Sequence, residues 1–379
     1  MKHLSYLPLM ALLFACGNNK ENAGLPDFSN LTFTLDTVMV DPGDEIINLY
    51  NGLWVSAIHP SGSSLYNWDQ KNMVLEKINL DKLILEEKIP YEKEGPNGVG
   101  PYVSWISLTD DDQIVIANFQ DMGLFNFKGE KIKSLRLRGE QIEGDLLEAN
   151  ENFNRKSILT GDGNHLYGIL GSWSGKSFTL GRMDFNSKTL KKFLLPDYDR
   201  LSDYTTIFSS SDMKEITVAD QFIEQIEHRI IFSTAVFNTL MVYDLITDSL
   251  YKVDYQNTLT KNSKTGKYRN EVESKEEFRQ IRSEISQEIN FLRPIWDSQN
   301  KRFYRLSYES LPATSLSDGS LKYNNKIYLT ILDKDFQVLA ETLIEELNTP
   351  PITHFVKDGK IWIYKNLDDE LAFVRLSIL

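Results

Sequence analysis

Residues 53–89 read LWVSAIHPSGSSLYNWDQKNMVLEKINLDKLILEEKI, and their patterning decides the fold. Short apolar runs are cut by turn residues. Leu53–His59 ends at Pro60-Ser61-Gly62, and Ser64–Trp68 ends at Asp69-Gln70-Lys71-Asn72. Met73–Ile78 and Leu83–Ile89 follow. Runs of about six residues, punctuated this closely, indicate antiparallel strands rather than helices. Four strands follow one another with no room for a helix between them.

The same texture extends in both directions. A second group holds Tyr102–Leu108, Gln113–Asn118, Gly123–Phe127 and Lys131–Leu137, with turns at Thr109-Asp110-Asp111-Asp112 and Lys128-Gly129. A third unit spans Arg155–Leu195, and a fourth spans Thr205–Asp254. A fifth holds Phe291–Trp296, Arg302–Tyr308, Lys326–Leu332 and Gln337–Leu343. The last stretch contains three strands: Ile352–Val356, Lys360–Tyr364 and Leu371–Ile378. Four strands per period of about 45–60 residues favour a propeller. Five full units and three strands leave one place empty. The N-terminal strand Leu31–Val40 fits it and removes two exposed sheet edges. The expectation is an all-β, six-bladed β-propeller of four-stranded blades over 31–379, closed by the N-terminal strand. Seven blades, with another hidden in the fourth and fifth units, is the alternative.

One segment departs from this texture. Ser274-Lys275-Glu276-Glu277 is a capping box, and Phe278, Ile281, Ile285 and Ile289 recur at helical spacing. An inserted amphipathic helix is expected over 274–289, resting on the sheets. The polar segment 258–270 before it reads as a loose loop.

The N-terminus reads MKHLSYLPLMALLFACGNN over residues 1–19. A basic start precedes an apolar stretch too short to span a bilayer, as in a signal peptide covering 1–15. Residues 16–30 are polar, with Gly and Pro, and read as a tether. Leu13-Phe14-Ala15-Cys16 resembles the lipobox of bacterial lipoproteins, although Phe14 is larger than usual there. The resemblance implies cleavage before Cys16 and its acylation, with multiple acyl chains holding the protein firmly on a membrane. Cys16 is the sole cysteine of 379 residues, so this exported chain forms no internal disulfide. Asn18 is not the aspartate associated with inner-membrane retention. The expected location is therefore the outer membrane or the cell surface.

Taken together, the lipobox, the acidic all-β body and the segment Glu94-Gly95-Pro96-Asn97-Gly98-Val99-Gly100 resemble the six-bladed, TolB-like propeller lipoproteins of Bacteroidota, including families without assigned function. That segment is similar to a Gly-Pro-Gly turn leading into an innermost strand, with Asn97 and Val99 interrupting it. Such a likeness specifies a fold better than an activity.

The formal charge of −13 argues against nucleic-acid binding, which depends on neutralising phosphates, and against a polybasic membrane patch. The mature histidines His59, His165, His228 and His354 have no metal-ligand spacing. Gly171-Ser172-Trp173-Ser174-Gly175 puts its serines in the wrong places for a nucleophile elbow. Asp110-Asp111-Asp112 lacks the spaced ligands of a calcium loop and reads as a solvated turn. No metal or cofactor is expected. Trp54, Trp68, Trp105, Trp173, Trp296 and Trp362 are expected to fill the gaps between blades, the other reading being platforms for sugars.

The sharpest candidate site is the mouth of the central channel. Arg155, Arg293 and His354 open three proposed innermost strands, and Tyr102 and Asn51 hold comparable places in two more. Clustered cations there would draw an anionic ligand. The favoured function is a non-enzymatic binding or scaffold module of the envelope, capturing a glycan, a peptide or an envelope protein. A hydrolase or lyase acting on an anionic glycan or peptide at the mouth is the alternative. A purely structural partner, using an exposed apolar patch near the 274–289 helix, is the third reading.

Overall fold

Five turns set the pattern of the molecule. Asp69, Asn79, Asp184, Asp244 and Asp297 each accept hydrogen bonds from the main-chain N–H groups two and three positions on. The residue four positions on is left-handed in every case: Met73, Leu83, Lys188, Asp248 and Lys301, with φ between 50° and 57°. The short polar side chain replaces the missing partners of the turn, and one left-handed residue restores the strand direction. These turns fix the hairpin register, and register decides which side chains face inward.

The computed structural model describes Phe28 and residues 31–379, apart from 110, 119–120, 138–139, 150, 173–177 and 316–320. The side chains of 152, 154–156, 172 and 321 are likewise outside the described part. The proposed signal peptide, Cys16, the tether, Asp110 and Trp173 all lie outside the described residues.

Among the described residues, six sheets each carry four antiparallel strands. The first runs through Ser56–Ile58, Ser64–Asp69, Val74–Asn79 and Ile84–Pro90. The second holds Trp105–Leu108, Ile114–Ala117, Met122–Phe125 and Lys131–Ser134. The third holds Glu151–Leu159, His165–Ser172, Phe178–Asp184 and Thr189–Leu194, with Glu143–Gly144 added in parallel at its outer edge. The fourth holds Gln221–Ile226, Arg229–Thr234, Leu240–Asp244 and Ser249–Val253, and the fifth Asn290–Asp297, Arg302–Ser310, Asn325–Leu332 and Val338–Leu343. The sixth combines His354–Lys357, Lys360–Leu367 and Glu370–Ile378 with the N-terminal strand Phe33–Met39. That strand pairs antiparallel with Glu370–Ile378, Phe33 opposite Ile378 and Met39 opposite Ala372, as the count of strands anticipated.

From the first sheet to the sixth, the first strand of each sheet lies beside the first strand of the next. The core lies between sheets. Trp68 and Tyr66 meet Ile106 and Phe125 across the first gap, and Trp105 and Val115 meet Leu166 and Leu170 across the second. Leu65 and Ile78 of the first sheet pack on Phe355, Trp362 and Phe373 of the sixth, so the last sheet returns to the first. Of the described tryptophans, Trp68, Trp105, Trp296 and Trp362 pack in these gaps, while Trp54 is exposed.

The helix spans Lys275–Gln287, with Ser274 Oγ accepting from the Glu277 N–H at 3.1 Å. The return half of the capping box is absent, because the Glu277 carboxylate turns to Arg269 at 2.8 Å. Phe278 and Ile281 are buried against Phe208 and Val272, and Ile289 is buried just past the helix.

Three expectations need correction. Leu53–His59 is two strands, Tyr50–Leu53 and Ser56–Ile58, because the chain bends at Trp54-Val55. Thr205–Asp254 is not one unit. Thr206–Ser209 and Lys214–Thr217 form a separate small sheet with Glu271–Val272, since a hairpin signature does not say which sheet it joins. The polar segment 258–270 is tied down rather than loose: the Lys264 N–H donates to the Val236 carbonyl at 2.8 Å, and Lys264 is only 2% exposed.

Candidate functional site

The first strands of the fourth, fifth and sixth sheets bring two of the sequence candidates together. The Arg293 guanidinium donates to Glu224 Oε1 at 2.8 Å and, through Nη2, to the main-chain carbonyl of His354. Its side chain is 18% exposed, that of Glu224 27%. Arg293 therefore ties three successive strands together and already has a carboxylate partner. The partner is 69 positions away, beyond the reach of sequence spacing.

His354 departs from the expected rim cation. It is wholly buried, with only the main chain of Pro351, Ile352 and Arg293 to set against that burial. Burial, reinforced by the Arg293 charge, pushes its pKa down to about 3. The ring is neutral at any ordinary pH. Arg155 lies in Glu151–Leu159, where pairing with His165–Ser172 shifts register between Phe153 and Ser157, and its side chain lies outside the described ones. Tyr102 is 41% exposed, in the segment leading to Trp105–Leu108. Asn51 is exposed in Tyr50–Leu53. Of these candidates, Arg293 and His354 meet.

The Glu94–Gly100 segment builds the approach to the second sheet. Gly95 and Gly100 are left-handed, at φ 92° and 88°, and at Gly100 a Cβ would lie 2.7 Å from the Asn118 amide nitrogen. Asn97 Oδ1 accepts from the Lys131 N–H at 3.1 Å, and Lys131 Nζ donates to the Gly98 carbonyl at 2.8 Å. The departure at Asn97 is thus a tie to the outermost strand of that sheet.

Lys264 is a buried polar residue not marked by any motif. Lys264 Nζ donates to Asn290 Oδ1 and to the Ile285 carbonyl, each at 2.8 Å, joining the 258–270 segment to the helix end and the fifth sheet. Burial lowers its pKa to about 7, against the opposing pull of Glu288, Asp220 and Glu309. Between that value and the ordinary lysine range, the folded state has released a proton that the unfolded chain keeps. Stability from this group therefore rises with pH from about 7 to about 10.5. In Lys264→Met this rise should be missing, as read by urea unfolding at pH 7 and pH 10.

A second feature lies between the first and sixth sheets. An open cleft of about 600 Å³ runs along segment 44–50, the turn 69–72 and the turn 366–369, with Lys88 on its wall. Beneath it Glu76 is fully buried. Burial raises its pKa, while hydrogen bonds from Asn67 and Asn48 and the Lys88 charge oppose the rise. Among the described residues no group of three His, Cys, Asp or Glu side chains could hold a metal ion. No described helix is long and apolar enough to cross a membrane.

The family model described as Domain of unknown function (DUF4221) matches residues 29–343. The fold is similar to the crystal structure of a member of that family from Bacteroides vulgatus. The TM-score is 0.63 at 14% identity, covering 92% of this chain and 98% of that one. It is also similar to a candidate exported protein of Bacteroides fragilis, with TM-score 0.51, 9% identity and coverage of 92% and 95%. At such identities the likeness concerns the propeller-like fold alone. No curated protein matches the sequence.

Proposed function

The chain belongs to the DUF4221 family, and from that premise we propose that it is an exported six-bladed propeller, held on the cell envelope through a lipid on Cys16, that works by binding. The six-bladed reading is supported by six four-stranded sheets whose first strands follow one another side by side. Export is favoured by the apolar N-terminus and by the fold shared with a candidate exported protein.

The observation that carries binding over turnover is the state of the ionisable groups at the first strands. Arg293 is committed to Glu224 and to a carbonyl, and His354 is held neutral inside the protein. Groups fixed in this way position strands. They do not present the poised acid and base that hydrolysis or elimination requires.

The anchor is tested by feeding cells a clickable fatty-acid analogue. The wild-type protein should carry label and sediment with membranes, whereas Cys16→Ser should carry none and stay unprocessed or shift to the soluble fraction. Unlabelled wild-type protein would overturn the anchor.

A further inference from the structure

We propose that the cleft between the first and sixth sheets binds a neutral saccharide. This deepens the binding reading and names its ligand, while its site is distinct from the channel mouth. The argument begins with what holds the wall. Asn48 uses nearly every polar atom it has. Its N–H donates to both Glu76 carboxylate oxygens at 3.1 and 3.2 Å, and its Nδ2 donates to Asp69 at 2.6 Å. Its carbonyl accepts from Asn67 Nδ2 at 2.9 Å, and its Oδ1 accepts from the Tyr50 N–H at 3.0 Å. Glu76 and Asp69 are 0% and 3% exposed, so this anchor is built into the core. Lys88 Nζ pins the other end, donating to the Ile46 carbonyl at 2.7 Å and to Glu45 at 3.1 Å.

A segment fixed this firmly nevertheless leaves the Tyr50 ring 92% exposed and Ile46 80% exposed. The main chain beneath the ring is held by hydrogen bonds, so only the ring's own rotamer remains to be ordered when a ligand arrives. Around it the cleft offers Asp44, Lys71, Asn72, Asn366 and Asp369, a mixture of donors and acceptors, in a volume suited to a small ligand.

That combination selects the ligand class. Sugar hydroxyls both donate and accept, and the C–H face of a pyranose lies on an aromatic ring. An apolar ligand would leave the cleft's polar half, Asp44, Lys71, Asn72, Asn366 and Asp369, without partners. A polyanion would meet Asp44, Glu45 and Asp369 in a chain of net charge −13, and a basic peptide would find Glu45 already held by Lys88 and Asp69 by Asn48.

The full chain, in a detergent without sugar headgroups, is applied to an array of neutral oligosaccharides, with anionic glycans and basic peptides as separate arms. Hits are then measured by calorimetry. The expected result is retention of neutral oligosaccharides, with affinity falling at least tenfold in Tyr50→Ala and severalfold in Lys71→Ala. Unchanged melting temperatures would show that both variants fold. Retention of anionic glycans or basic peptides alone, no retention at all, or equal affinity in Tyr50→Ala would each overturn the proposal. None of these outcomes alters the Cys16 labelling result, so the site and the anchor fail independently.

Discussion

Replacing Arg305 with methionine should destabilise the protein by roughly 3–5 kcal/mol, read as a lower urea midpoint with an unchanged slope. Arg305 is 1% exposed in the second strand of the fifth sheet. Its Nε donates to the Leu292 carbonyl at 2.9 Å, and Nη1 donates to the Asn238 carbonyl and to Tyr255 Oη. Nη2 reaches the carbonyls of Thr234 and Phe237 at 3.2 and 3.3 Å. The guanidinium therefore replaces the missing hydrogen-bond partners of the turn that ends Arg229–Thr234, and it lies 5.1 Å from the centre of the Phe291 ring. Methionine would match much of the volume and leave those carbonyls without donors in a dry interior. Arg305→Lys should recover only part of the loss, because one ammonium cannot reproduce the planar fork. If both variants melt like the wild type, the buried network contributes little to stability.

The second large effect concerns acid. The unfolded chain takes a proton on His354 near pH 6.5, and the folded chain refuses it until about pH 3. Between those values the unfolded state binds more protons, so stability rises with pH. It is complete above about 6.5 and is lost as pH falls towards 3. The span corresponds to a loss on the order of 5 kcal/mol from this one group. His354→Leu removes the proton site and fills the space with an apolar side chain. Its expected stability is near the wild type at pH 7 and clearly greater at pH 4. The comparison with the variant separates His354 from carboxylates such as Asp36, which the Arg375 partner holds low and which also weaken the fold in acid. Parallel pH profiles for the two proteins would show that His354 accepts its proton without cost.

The strands were legible because their evidence is local. Alternation and Asp- or Asn-led turns sit within a few residues of one another, and the carboxylate of Asp69 or Asp297 caps its turn by chemistry visible in the sequence. The closing strand was legible by counting, since an unfilled place and an unpaired edge call for each other. The helix was legible from Ser274 and its apolar spacing. The site was far less so. Residue type does not reveal burial: Arg293 and His354 read as two rim cations, but one is paired across a gap in sequence and the other is sealed inside. Lys264, Arg305 and Glu76 were not singled out, because each is a charged residue in an ordinary polar or alternating context whose partners lie nine or more positions away along the chain. A lone Arg at a central position of an apolar run, as in Phe303-Tyr304-Arg305-Leu306, is the one local hint that could have marked Arg305.

The pairing of Phe33–Met39 with Glu370–Ile378 also sets an order of events in biosynthesis. Asp36 bonds Arg375 across 339 positions. At ribosomal speeds of about 5–20 residues per second, the first strand waits roughly 20–70 s for its partner to be made. Through that interval it is a free edge, open to pairing with the wrong chain. Asp36, at a polar position in the middle of FTLDTVM, puts a charge on the free edge, the kind of residue that discourages wrong pairing during the wait. The same carboxylate later clasps Arg375, so one residue first guards the open edge and then fastens it.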